Sequence, residues 1–88
     1  MTDRARVEAL LPAEMVRVIH TTCAGLGLPV ARWPGVFRDF VYVAVAARVA
    51  ELCPRELRTW TAAVDRACAE LEESPGAFKA WWYDRRAS

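Results

Sequence analysis

His20 and Cys23 stand three residues apart, a spacing that puts both side chains on the same side of a helix. A cysteine beside a histidine is the minimum for thiol catalysis, in which the thiol pKa is lowered and a third group orients the base. No third group is recognisable, and the plainer reading makes His20 the edge of an apolar stripe and Cys23 a small buried hydrophobe. With Cys53 and Cys68 these residues number four, the count a structural zinc ion needs, but they are scattered over three helical segments without matched spacing. Clustered carboxylates occur at Glu70, Glu72 and Glu73, where a solvated helix end accounts for them. Gly25, Gly27 and Gly35 match neither nucleotide-binding fingerprint. The expectation is a chain without catalytic residues, metal or cofactor. A cysteine-dependent enzyme ranks third among the functions weighed.

A different chemistry is written in AWWYDRR near the C-terminus. On a helix Phe78, Trp81, Trp82 and Arg85 follow i, i+3, i+4 and i+7 and form one stripe, while Tyr83 points away from it. Trp, Tyr and Arg are the residues enriched at binding hot spots. Phe78 and Trp81 are therefore expected in the core, and Trp82, Tyr83, Arg85 and Arg86 at the border of an exposed aromatic and basic surface. Trp33, between Arg32 and Pro34, lies in a proline-bounded loop, where it either caps the bundle or serves with Arg32 as a second anchor.

The elements that position these groups are delimited by proline and glycine. Val7, Leu10 and Leu11 share one side of a short first helix. Pro12 suits a helix's first turn, and Met15, Val18, Ile19 and Thr22 recur with helical period, so 12–24 reads as an amphipathic helix ending at Gly25. LGLPVARWPG, with two prolines and two glycines, is a loop. The segment from Val36 to Cys53 contains the alternating FVYVAVAA, which also suits a strand, but eighteen residues without a breaker favour a helix. Val36, Phe40, Val43, Ala47 and Ala50 share one face of it, and apolar residues fill much of the remainder. A helix apolar nearly all round is a central one. Pro54 is expected to start the next helix, whose stripe is Leu57, Trp60, Val64, Ala67, Cys68 and Leu71. ESPG at 73–76 separates it from a last helix at 77 to about 86. The fold expected is all-α: one domain over 1–88, a compact bundle of four to five helices around a central apolar helix at about 36–53.

TTCAGLGLPVARW resembles the turn of helix-turn-helix DNA-binding proteins. Ala24 matches the small residue before the turn, Gly27 the turn glycine and Val30 the apolar residue of the following helix, which Pro29 would open. The resemblance implies a small DNA-binding regulator. Pro34-Gly35 departs from it, ending the recognition helix after about five residues with Arg32 as its one basic side chain.

Composition weighs between these readings. Twelve basic and eleven acidic residues give a net charge of +1, which supplies no long-range field for nucleic acid or anionic lipid. Eleven of the basic residues are arginine, consistent with the coding bias of a GC-rich bacterial genome. A hydrophobic share of 55% over 88 residues excludes disorder and hints at apolar surface shared with another chain. An odd number of cysteines without CxxC, and a charged start in place of a signal peptide, make the cytoplasm the expected compartment. No run approaches the ~20 apolar residues of a membrane span. The function expected is a bacterial protein–protein interaction module, an adaptor, accessory or inhibitor protein. Its partner would be a second copy in a homodimer or a larger protein. Nucleic acid is the less favoured partner and a membrane is not one.

Overall fold

Gly35 opens the central helix with a backbone at φ 49°, a left-handed conformation that side-chain-bearing residues rarely adopt. The computed structural model describes residues 3–22, 30, 33 and 35–87. Five helices run through them in the order α1 (Asp3–Ala9), α2 (Ala13–Thr22), α3 (Val36–Leu52), α4 (Trp60–Leu71) and α5 (Pro75–Ala87), with no strand among the described residues. The chain is an all-α bundle, and α3 is its centre, packing against α1, α4 and α5. The turn expected to resemble a DNA-binding motif, including Ala24, Gly27, Pro29 and Arg32, lies outside the described residues, as does Cys23.

Which face of α3 goes inside differs from the expectation. Val41, Ala44, Val45, Val49 and Leu52 are buried, whereas Phe40, Val43 and Ala47 are half-buried and Ala50 is exposed. A helix apolar on nearly every side carries almost no preferred direction, so its neighbours choose the face. They chose the side where Ala44 presents no bulk, which lets another helix approach closely. Phe40 instead lies at the margin, its ring 5.9 Å from that of Phe37.

The start of α4 is also later than Pro54. The chain leaving α3 turns on itself, with the amides of Glu56 and Leu57 both donating to the Leu52 carbonyl at 2.9 Å. Thr59 then caps α4, its hydroxyl oxygen accepting from the Ala62 amide at 3.2 Å and satisfying one of the helix's orphan donors. Val64, Ala67, Cys68 and Leu71 are buried as the stripe requires, while Leu57 and Trp60 pack half-buried against that core.

At its other end α4 closes with Glu72 in the left-handed region, φ 57°. The Glu73 amide donates to the Cys68 carbonyl at 2.8 Å and the Glu72 amide to that of Ala69 at 3.4 Å, the paired bonds of a Schellman ending. Ser74 follows as the cap of α5, accepting from the Ala77 amide at 3.3 Å, and Pro75 takes the first helical position. The last helix therefore starts two residues before the expected 77.

The first two helices are attached differently. Val7 of α1 is buried, with Leu10 and Leu11 against the same core. From α2, Ile19 is fully buried but Val18, expected on the same stripe, is 45% exposed. A polar contact supplements Ile19: His20 Nε2 lies 3.0 Å from Glu8 Oε1, and Glu8 Oε1 accepts from Arg4 Nε at 2.8 Å. Burial opposes the charge of Glu8, but these two partners outweigh it and hold its carboxyl below the ordinary range.

The glutamates at 70, 72 and 73 are not a uniformly solvated cluster, which corrects their reading from sequence. Glu70 receives a forked pair of bonds from Arg48, at 2.8 Å and 3.3 Å, tying α3 to α4. The Glu73 side chain is 6% exposed and takes a hydrogen bond from Arg38 Nη2. The other Arg38 amine donates to the Val30 carbonyl at 2.8 Å, and its guanidinium lies 5.3 Å from the Tyr42 ring centre. Burial opposes the Arg38 charge, yet hydrogen bonds with Tyr42 and Glu73 outweigh it, so the group holds its proton more tightly than usual. One side chain thereby joins α3, the turn after α4 and the segment before α3.

Candidate interaction surface

Phe78 organises the aromatic residues of three helices. It is fully buried, and its ring centre lies 5.9 Å from those of Trp81 and Trp82, 6.3 Å from Trp60 and 6.4 Å from Tyr42. Trp81 packs 5.4 Å from Tyr42 and donates its indole N–H to Asp39 Oδ1 at 3.0 Å, which fixes the inner side of α5 on α3. Trp82 lies 5.8 Å from Trp60 and is half-buried, so it belongs partly to the core and partly to the surface. Tyr83 is 60% exposed, its ring 6.1 Å from Trp60.

The arginines lie over this layer. Helical side chains lean toward the N-terminus, so a residue at i+4 reaches back over residue i. Arg85 accordingly sits 5.0 Å from the Trp81 ring centre and Arg86 4.2 Å from that of Trp82, both within cation–π range. Trp82, Tyr83 and Arg86 thus lie on the side of α5 that faces Trp60, while Arg85 lies over Trp81 on the side that faces α3. Trp33 is not with them: it is 4% exposed and belongs to the core, so the second anchor expected in the loop presents almost no surface. A large indole beside Val30 covers that end of the bundle better than water would, which is the reason it turns inward. Sequence reasoning missed Trp60, which it assigned wholly to the α4 stripe. Half-buried beneath Trp82 and Tyr83, Trp60 is the platform of the patch, and no spacing signal links residues so far apart in the chain.

Among the described residues no group of three or more His, Cys, Asp or Glu side chains lies together in an arrangement able to hold a metal ion. His20 faces Glu8, and its sequence partner Cys23 lies outside the described residues. Burial, with help from Glu73 and Asp65, pushes the Cys68 thiol up to about 11, which keeps it protonated at neutral pH. Brief treatment of the folded protein with iodoacetamide should therefore alkylate half-buried Cys53 and leave Cys68 unmodified until denaturant is added. Peptide mass mapping reads the order, and early modification of Cys68 would contradict its burial.

A cleft of about 560 Å³ opens between α1, α3 and α4, with Arg6, Arg48, Glu51 and Glu70 around an apolar floor of Leu10 and Leu71. Arg48 holds the Glu70 carboxylate, and Arg6 donates to the Glu70 backbone carbonyl at 3.1 Å. No described helix is long and apolar enough to cross a membrane. No protein-family model, curated protein or solved structure matches this chain.

Proposed function

We propose that the chain is a non-catalytic protein-binding module acting through the exposed end of α5, with Trp82, Tyr83, Arg85 and Arg86 as its contact residues. The observation that carries this reading is a 60% exposed Tyr83 beside a half-buried Trp82, both resting on Trp60. Large aromatic rings already held by their neighbours lose little freedom on binding, which is the preorganisation that strong contact residues need. The partner is a second copy of the chain or a larger protein, and an adaptor, accessory or inhibitor role fits a small domain with an exposed aromatic and basic surface.

Tyr83→Ala and Arg85→Ala separate binding from folding. Each is expected to leave the melt within about 0.5 kcal/mol, as surface changes do. Each should weaken association by about 1–2 kcal/mol or more. Light scattering across a dilution series reads self-association, and tagged protein purified from its native host, wild type against variants, reads a hetero-partner. A large stability loss from Tyr83→Ala with association intact would make the whole terminus core and overturn the reading. So would a stable single-chain mass with no co-purifying protein that depends on Tyr83.

A further inference from the structure

Resting on the reading of α5 as the binding element, we infer that its partner is an acidic protein segment, recognised by the forked guanidiniums of Arg85 and Arg86 held against Trp81 and Trp82. Arg4, Arg38 and Arg48 spend their donors on carboxylates of this chain, and Arg6 and Arg38 on backbone carbonyls. Arg85 and Arg86 are held differently: the contact of each is an indole face, at 5.0 Å and 4.2 Å. A guanidinium placed over a ring keeps its N–H edge outward, and that planar edge matches a carboxylate bidentately. Two such edges on consecutive residues form a receptor for two acidic groups, with the outer part of Trp82 under Arg86 and Tyr83 on the same side for an apolar side chain.

Charge complementarity selects the occupant. Lys79, Arg85 and Arg86 outnumber Asp84 on this stretch of α5, so the approaching surface must be negative. Phosphate-backbone binding draws its affinity from many cations spread along a track. Here two cations sit in the last turn of α5 and a third about two turns earlier, on a chain whose net charge is +1, with Tyr83 exposed among them. That balance fits glutamate and aspartate side chains interspersed with apolar ones. The two arginines also lie in the last turn, where any cation offsets the helix dipole, so the test must separate the fork from the charge.

The probe is a capped twelve-residue peptide repeating Glu-Glu-Leu-Phe, titrated into ¹⁵N-labelled full chain while the Trp82 indole and the Arg85 and Arg86 Nε signals are followed. The comparison ligands are the same peptide with Gln for Glu and a twelve-base-pair DNA duplex. The acidic peptide should move those signals and bind at least about tenfold more tightly than either comparison, a margin of about 1.4 kcal/mol. R85K/R86K keeps both charges at the helix end and should lose at least about fivefold in affinity with an unchanged melt. Equal binding of the Gln peptide, tighter binding of the duplex, no binding of the acidic peptide, or full affinity in R85K/R86K would each overturn the acidic-partner inference. If the Gln peptide binds as well as the acidic one and Tyr83→Ala abolishes both, the α5 surface stands and only its acid selectivity falls. Shifts confined to residues remote from α5 would remove both.

Discussion

Phe78→Ala is expected to lower the folding stability by about 3–5 kcal/mol, the range of buried Phe truncations. Phe78 is the largest fully buried side chain and touches aromatic rings from α3, α4 and α5, so its loss opens a cavity at the junction of three helices. Tyr42, Trp60 and the two tryptophans of α5 cannot all collapse into that space without giving up their contacts with one another. A domain of this length has a total stability of about 5–10 kcal/mol. The variant should therefore melt at least about 12 °C lower, or with no cooperative transition. Phe78→Leu, which retains most of the volume, should recover most of the loss. Urea denaturation followed by circular dichroism measures both, and a Phe78→Ala midpoint equal to wild type would show that α5 does not dock through this ring.

The second large effect is expected at Arg38. Arg38→Ala should cost about 2–4 kcal/mol, since removing one partner of a buried pair strands the other charge. Glu73, 6% exposed, is left without its donor, and the Val30 carbonyl loses one as well. Glu73→Ala should cost less, because the Arg38 side chain retains 24% exposure and its head can turn toward water. The double change Arg38→Ala with Glu73→Ala should cost less than the sum of the two singles, since neither charge is then stranded. Chemical melts of the four proteins form the cycle. Additive costs would mean that the two side chains act independently, and that the clamp between α3 and the end of α4 does not hold.

That clamp marks the boundary of what reading the chain can reach. The sequence shows a glutamate among glutamates at the end of a charged helix, for which solvation is the ordinary expectation. Glu73 is turned inward by Glu72, which takes a left-handed conformation that a non-glycine residue adopts only where its surroundings compensate. No local pattern announces such a residue. The arginine that meets it lies thirty-five positions earlier.

Local physics determined the rest of the frame. Five helices, all but α4 starting near their expected residues, follow from proline and glycine punctuation and from apolar residues at helical spacing. The stacking of Arg85 and Arg86 is local too, because residues four apart on a helix must lie one above the other. Phe78 and Tyr83 sit inside and outside as the stripe demands, since five residues of helix separate their directions by well over a quarter turn. What required the tertiary structure was every choice between equivalent apolar surfaces. The face of α3, the inward turn of Trp33 and the exposure of Val18 each depend on which neighbour arrives. So does the use of Trp60 as the floor beneath Trp82 and Tyr83. Hydrophobicity specifies that a surface is to be covered, while shape complementarity among distant segments decides which surface is covered and by what.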